Sequence, residues 1–217
     1  MILSVKNLKK TFKDGDKVLE VLKGVSFNLN KGDILTIKGP SGSGKSTLLS
    51  LLGTLDQPDS GEIIIDNNNL KDIKDYDLIR NTHIGFIFQF HNLISELNVV
   101  ENVTIPTLIA GKKIDEAYVN ELFDYFDLSS RKKSFPLDLS GGEKQRISVM
   151  RAIINKPSIV IADEPTGNLD EHNAIKMIDL FQKLNHDFNL TFVIATHDKK
   201  VFNIGDKKMN LYDGILL

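Results

Sequence analysis

Two adjacent carboxylates, Asp163 and Glu164, follow an apolar run in the segment IVIADEPTGNLD. The run Ile159–Ala162 predicts a buried strand, and like charges at the end of such a strand are costly to keep ionised unless a cation lies beside them. The pair therefore indicates that one carboxylate lies beside a bound cation, and that the other carboxylate has a different role. Taken alone, the pair is more typical of two acids that end a strand in solvent.

A second segment, GPSGSGKST, supplies a source for the cation. It fits the phosphate-loop pattern G-x-x-x-x-G-K-[ST] in full, between the predicted strand DILTIK and a predicted helix. Glycines let backbone N–H groups turn inward around phosphates, and the helix adds its positive N-terminal end. We expect Lys45 to reach the β- and γ-phosphates and the Ser46 hydroxyl to bind Mg²⁺. The predicted nucleotide-binding residues here are Gly39, Pro40, Ser41, Gly42, Ser43, Gly44, Lys45, Ser46 and Thr47.

A nucleotide that carries Mg²⁺ gives each of the two carboxylates a task. Asp163 would hold the metal through its hydration shell, as in P-loop NTPases. Glu164, just beyond the metal, would orient and polarise the attacking water. The two motifs together predict nucleotide hydrolysis.

Further motifs follow in a fixed order. After the phosphate loop come Gln89, then LSGGEKQR (Leu139–Arg146), then IVIADEP, then NLD, and then His197 in ATHD. This order resembles the ATP-binding cassette (ABC) ATPases over essentially the whole chain. The resemblance implies one ATPase domain over residues 1–217, with ATP and Mg²⁺ as its ligands.

The resemblance also implies roles for matching positions. Phe12 is similar to the aromatic residue that stacks on adenine, although most members carry Tyr there. Gln89 would contact Mg²⁺ or the attacking water and couple to the transport partner, and His197 would contact the γ-phosphate. The implied catalytic residues are Glu164, His197 and Gln89, and the implied metal ligands are Ser46, Gln89 and Asp163.

The segment LSGGEKQR, taken alone, is a capped helix start whose free N–H groups are able to bind an anion. In the ABC family this segment covers the γ-phosphate held by the other subunit, a role that falls here on Ser140, Gly141 and Gly142. Asp170 resembles the acid that signals across the dimer interface. The resemblance thus implies a head-to-tail homodimer with two ATP molecules between its subunits.

The pattern of elements predicts how these residues are positioned. The first third is rich in strand signals, including a hairpin from Ile2 to Leu29 around the turn KDGDK. Helical spacing follows from Val99 to Phe126, and Ser140–Ile154 predicts a helix with a capping box. We therefore expect an α/β P-loop NTPase core with a mainly parallel sheet, an N-terminal antiparallel β subdomain and an inserted α-helical subdomain. The expected divisions are residues 1–90, 91–150 and 151–217.

Composition narrows the function further. The 217 residues include no cysteine, which excludes disulfides and thiolate chemistry, and the net charge of −2 argues against a nucleic-acid partner. No signal peptide and no membrane-spanning run is apparent. We expect a cytoplasmic protein, peripheral on the cytoplasmic face of an inner membrane, that drives separate permease subunits.

The branch of the family is indicated by EPTGNLD and by GFIFQFHNLISELNVVENV. Both resemble the small ATPases of lipoprotein release, of macrolide-type efflux and of the cell-division complex, and the run QFHNL favours lipoprotein release. The segment after Gln89 would form a groove for a helix of the permease, with Phe90, Leu93, Ile94 and Leu97 as walls or as core residues. The alternatives are a soluble ABC ATPase without a transport role and an ATP-dependent scaffold.

Overall fold

A computed structural model describes residues 1–15 and 17–217. The predicted turn KDGDK contains Asp16, which lies outside the described residues. The strands are β1 (Leu3–Asp14), β2 (Lys17–Leu29), β3 (Ile34–Lys38), β4 (Ser60–Ile65), β5 (Asn68–Asn69), β6 (Ile84–Ile87), β7 (Ile159–Asp163), β8 (Phe192–Ala195), β9 (Lys207–Tyr212) and β10 (Ile215–Leu216). The α-helices are α1 (Lys45–Leu52), α2 (Tyr76–His83), α3 (Val99–Ile109), α4 (Glu116–Tyr125), α5 (Gly141–Ile153), α6 (Glu171–Phe188) and α7 (Lys199–Asn203).

The larger sheet has the strand order β10-β9-β3-β8-β7-β6 and is parallel from β9 to β6. Alternate residues of β7 face two different cores. Val160 and Ala162 pack with α3 to α6, whereas Ile159 and Ile161 pack with α1 and the N-terminal strands. A sheet covered on both faces needs an apolar residue at every position, which explains the continuous apolar run in the sequence.

The smaller sheet is antiparallel, with the order β2-β1-β4-β5. Leu3, Val5 and Leu8 of its central strand β1 are buried in the second core, together with Leu48 and Leu52 of α1. The antiparallel sheet therefore packs over the helix that follows the phosphate loop. Together the two sheets confirm the predicted α/β fold with an antiparallel N-terminal part.

Helices α3, α4 and α5 lie between β6 and β7, where the helical insertion is predicted. The predicted helical stretch from Val99 is broken as expected near Gly111, which has a left-handed φ of 65°. At α5 the predicted capping box is present, because Ser140 and Glu143 exchange side-chain-to-backbone hydrogen bonds. No helix within residues 1–15 and 17–217 combines the length and the apolar character that crossing a membrane requires.

Helix α2 and the two last strands are not predicted from the sequence. β9 reads KKMNLY, in which lysines interrupt the apolar pattern, although it pairs with β3 at the edge of the parallel sheet. The dipeptide Asp213–Gly214 between β9 and β10 has positive φ at both residues, as a two-residue hairpin turn requires. This dipeptide was the signal that could have revealed the final hairpin.

Candidate active site

The predicted chemical residues meet at one edge of the parallel sheet. The phosphate loop follows β3, Gln89 follows β6, Asp163 ends β7 and His197 follows β8. Because these four strands are parallel, their carboxyl ends lie at the same edge. Topology thus brings together residues that are more than a hundred positions apart in the chain.

A cavity of about 610 Å³ lies at this edge. Most of the predicted phosphate-loop residues line it, together with Gln89, Asp163, Glu164 and His197, while Pro40 and Ser43 belong to the loop without lining the cavity. Ser140, Gly141, Gly142 and Asp170 do not line it. The full lining is Phe12, Leu19, Val21, Gly39, Ser41, Gly42, Gly44, Lys45, Ser46, Thr47, Gln89, Asp163, Glu164 and His197.

The phosphate loop has the curl that its glycines predict. Gly42 and Gly44 adopt φ of 78° and 101°, which side chains with a Cβ rarely tolerate. Lys45 Nζ donates to the backbone carbonyls of Gly39 at 2.8 Å and Pro40 at 3.0 Å. A single ammonium group therefore lies across the mouth of the loop, where phosphate oxygens can replace the carbonyls as its acceptors.

Asp163 lies at the base of the cavity, where burial raises the pKa of its carboxyl. The neighbouring charge of Glu164 also raises it, whereas a hydrogen bond with Ser46 and the charge of Lys45 oppose the rise. A bound cation would therefore stabilise the ionised carboxylate, which lies next to the Ser46 hydroxyl predicted to bind Mg²⁺. This environment fits a bound Mg²⁺, with Ser46 and Asp163 as the residues that would hold it.

Glu164 is held by the segment after β8. Its backbone has a left-handed φ of 46°, and its Oε2 lies 2.9 Å from His197 Nδ1. The backbone N–H of His197 also donates to the same oxygen at 3.2 Å. The His197 side chain is 72% exposed while that of Glu164 is 16% exposed, and both residues line the cavity.

An apolar wall lies beside the phosphate loop. Phe12, predicted to stack on adenine, is 43% exposed there, and Lys10 Nζ lies 5.1 Å from the centre of its ring. Leu19 and Val21 of β2 complete this wall. Sequence reasoning missed both residues, and the apolar residues Val18, Leu19 and Val21 in a predicted hairpin strand were the available signal.

Ser140, Gly141 and Gly142, which we call the signature residues, lie at the start of α5, outside this cavity. Ser140 caps the helix, accepting a hydrogen bond from the Glu143 backbone at 3.3 Å. Asp170 caps α6, where the hydrogen bond from the backbone of Asn173 lowers the pKa of its carboxyl. A Cβ on Gly141 would meet no atom within 4 Å, so this helix end faces open space.

A separate depression of about 500 Å³ lies behind Gln89. Its walls come from α2, β6, α3 and α5, and none of the four apolar residues named after Gln89 lines it. Phe90 and Ile94 are instead exposed, and Leu93 packs against the core. The depression is lined by Asp77, Arg80, Asn81, Ile84, Gly85, Phe86, Phe88, Asn92, Pro106, Ile109, Arg151, Ala152 and Asn155.

Comparison with known proteins agrees with this geometry. The profile of the ABC transporter family matches residues 22–167. The chain is 46% identical over 203 residues to the lipoprotein-releasing system ATP-binding protein LolD of Bacteroides fragilis, covering 92% of this chain and 94% of that relative. It is 44% identical over 220 residues to the protein of the same name from Cytophaga hutchinsonii, covering 100% of this chain and 99% of that relative.

Solved structures give the same result. The chain superposes with a TM-score of 0.88 on the ATP-binding cassette MJ0796, in a dimeric post-hydrolysis state bound to ADP and Pi, at 38% identity and covering 98% of this chain and 95% of that one. It also superposes on cbiO1 from Clostridium perfringens, part of the ABC transporter complex cbiONQ, with a TM-score of 0.88 and 26% identity, covering 100% and 86% of the two chains. The chain belongs to the ABC transporter family and is one of its nucleotide-binding ATPases.

Proposed function

We propose that this chain is the ATP-hydrolysing subunit of a transporter that releases lipoproteins from an inner membrane. The proposal that lipoproteins are the cargo rests on the similarity of this chain, along almost the full length of both chains, to two relatives named for lipoprotein release. The ATPase chemistry has separate support from the cavity that joins the phosphate loop to Asp163, Glu164, Gln89 and His197.

In the proposed reaction, Lys45 binds the β- and γ-phosphates, while Phe12, Leu19 and Val21 contact the adenine. Ser46, Gln89 and Asp163 would hold Mg²⁺, which would supply positive charge to the phosphate groups. Glu164 takes a proton from the attacking water as the water oxygen bonds to the γ-phosphorus and the bond to the leaving ADP oxygen breaks.

His197 is proposed to change partners during this cycle. Its Nδ1 contacts Glu164 in the structure, and its exposed ring is free to turn toward a γ-phosphate. Because contact with the phosphate removes the ring from the carboxylate, ATP binding would leave Glu164 available to a water molecule.

The proposed working unit is a head-to-tail homodimer. Ser140, Gly141 and Gly142 lie outside their own subunit's cavity and at the exposed start of a helix. They are therefore placed to cover the γ-phosphate of a second subunit, with Asp170 at the same interface. We also propose three parts within the single domain, namely residues 1–90, 91–150 and 151–217.

The depression behind Gln89 is the proposed docking groove for the membrane subunit. Phe86 and Phe88 stack at 5.5 Å between their ring centres, and Ile109 is 72% exposed beside them. Arg151 adds positive charge to the same lining, where Arg80 is paired with Asp77. This combination fits a short helix that presents apolar side chains and an acidic residue, and it would hold the chain on the cytoplasmic face of the inner membrane.

The test is an affinity purification of tagged Glu164→Gln protein from its native cell, in mild detergent with ATP, followed by mass spectrometry. We expect a pair of membrane subunits together with lipoproteins, and their loss from a matched Lys45→Ala purification. A single large membrane subunit or a division protein would instead indicate a neighbouring branch of the family. Recovery of ribosomal or DNA-bound proteins without any membrane protein would overturn the transport role.

A further inference from the structure

One side chain contacts the glutamine predicted to act on the metal or the water. Asn168 Nδ2 donates to the backbone carbonyl of Gln89 at 2.9 Å. The other end of the same amide, Asn168 Oδ1, lies 3.5 Å from Gln89 Nε2. Asn168 therefore contacts both the backbone and the side chain of Gln89, although the two residues are 79 positions apart in the sequence.

The residue before Asn168 also lies against Gln89. A Cβ on Gly167 would lie 2.9 Å from Gln89 Nε2 and 3.4 Å from its Cδ, so the side-chain amide packs on a bare α-carbon. The Gly167 backbone N–H donates to the carbonyl of Glu164 at 3.0 Å. The turn that contacts Gln89 is thus hydrogen-bonded to the proposed catalytic acid.

The hydrogen bonds fix which end of the Gln89 amide faces Asn168. Since Asn168 uses its NH₂ group on the Gln89 carbonyl, its oxygen is the atom that faces the Gln89 side chain. Because an amide oxygen only accepts hydrogen bonds, the NH₂ end of the Gln89 amide is the end that faces it. Gln89 Oε1 is then the free end, and it is an acceptor in the cavity that also holds Asp163 and Glu164.

We propose that Asn168 is a positioning residue for Gln89, holding its side-chain oxygen ready for the metal or the attacking water. This inference rests on the proposed role of Gln89. The distance of 3.5 Å is long for a hydrogen bond, as is common for catalytic contacts before the substrate binds. Partners that orient a metal-binding group in this way typically change activity by about 10-fold when they are removed.

The kinetic test is a double-mutant cycle of Asn168→Ala and Gln89→Ala. If Asn168 acts through Gln89, Asn168→Ala lowers kcat by about 10-fold with KM for ATP little changed, and the double variant is no slower than Gln89→Ala alone. Asn168→Asp keeps the shape but cannot donate to the carbonyl, so it should be as slow as Asn168→Ala. Asn203→Ala, at an exposed asparagine at the end of α7, is the matched control and should retain wild-type kcat.

A second measurement reports on the loop after Gln89 by fluorescence and does not depend on ATP hydrolysis. The chain has no tryptophan, so Phe90→Trp at a side chain that is 68% exposed gives a single fluorescent reporter next to Gln89. Adding Asn168→Ala should increase acrylamide quenching of this reporter in the nucleotide-free protein, whereas adding Asn203→Ala should not. Gly167→Ala, whose added Cβ would push on the Gln89 amide, should slow kcat without slowing Gln89→Ala further.

The possible outcomes distinguish the positioning role of Asn168 from the proposed role of Gln89 in the reaction. Multiplicative losses in the double variant, or unchanged kcat and quenching in Asn168→Ala, would overturn the positioning role while leaving Gln89 in the reaction. Wild-type kcat in Gln89→Ala would instead remove Gln89 from the proposed mechanism, and the positioning role with it.

Discussion

Glu164 has a left-handed backbone, which costs roughly 1 kcal/mol or more for a residue with a side chain. Such strain persists where surrounding contacts fix it, and here both His197 and the turn to Gly167 do so. The conformation places the carboxylate in the cavity that Asp163 also lines. In the proposed reaction, Asp163 therefore serves Mg²⁺ and Glu164 serves the water.

Glu164→Gln should stop hydrolysis and preserve ATP binding, because the amide keeps the shape but cannot accept the proton. We expect kcat to fall by roughly 10²–10⁴-fold, measured by phosphate release. The arrested protein should accumulate as an ATP-dependent dimer, detected by light scattering. Hydrolysis at the wild-type rate would exclude Glu164 as the base.

Lys45→Ala should abolish ATP binding, because the ammonium group that lies across the phosphate loop is the cation expected on the β- and γ-phosphates. Equilibrium binding of ATP, measured by calorimetry, should fall below detection while the melting temperature stays near that of the wild type. Among residues 1–15 and 17–217, the hydrogen bonds of Lys45 Nζ go to two loop carbonyls, so little stability is lost. Tight ATP binding in this variant would contradict the assignment of the loop.

At the scale of elements, α5 connects two regions. Its first residues carry the signature, and Arg151 near its end donates to the carbonyls of Asn92 at 2.7 Å and His91 at 2.8 Å. Burial lowers the pKa of Arg151, and no carboxylate pairs with it among residues 1–15 and 17–217. The helix therefore joins the loop after Gln89 to the surface that is proposed to face a second subunit.

Arg151→Met should lower the free energy of unfolding by about 2 kcal/mol, since the apolar stem is kept but two loop carbonyls lose a charged donor. Urea denaturation would measure this change. Lys176→Met, at an exposed lysine of α6, is the matched control and should change stability by less than about 0.5 kcal/mol. An equal effect in both variants would show that the two hydrogen bonds contribute little.

The start of α5 should be sensitive to acid. Burial alone would raise the pKa of Glu143, but hydrogen bonds from Ser140 and Arg131 and the charge of Arg131 outweigh it and lower the pKa. A lowered pKa gives stability that is present above the unfolded value near 4.5 and is lost as the pH falls through the folded value.

Glu143→Gln should therefore cost about 1 kcal/mol of unfolding free energy at neutral pH, and the difference should shrink in acid. Denaturation at neutral pH and at about pH 3 would measure it. Glu116→Gln, at an exposed acid in the first turn of α4, should show little difference at either pH. A cost for Glu143→Gln that stays constant with pH would rule out the ionised cap.

Local chemistry explains which elements could be predicted. The phosphate loop, the strand before Asp163 and the cap at Ser140 are encoded within short segments, so the sequence reveals them. Contacts such as Asn168 with Gln89 and Arg151 with His91 join residues 79 and 60 positions apart, and only the fold brings them together. The depression behind Gln89 could not be predicted for the same reason, because its walls come from four separate elements.

At the scale of the whole molecule, the exposed signature predicts that each ATP site is built from two subunits. Gly141 offers a precise way to disturb only the partner's site, because a Cβ there meets no atom within 4 Å of its own subunit. Gly142 does not offer this, since a Cβ there would lie 2.7 Å from Asn173 Oδ1. Gly141→Asp should therefore fold normally yet place a negative charge against the γ-phosphate of the second subunit.

Mixing two inactive variants tests this arrangement. Gly141→Asp and Lys45→Ala homodimers should each be inactive, whereas a mixed dimer carries both defects in one site and leaves the other site intact. In a 1:1 mixture half of the dimers are mixed, so about a quarter of the wild-type rate should return if the sites act independently. Lys45→Ala mixed with Glu164→Gln is the control, because both defects lie in a subunit's own cavity and every site in the mixed dimer carries one. Recovery in neither mixture would mean that the signature acts within its own subunit, and recovery in the first alone establishes that it acts on the partner.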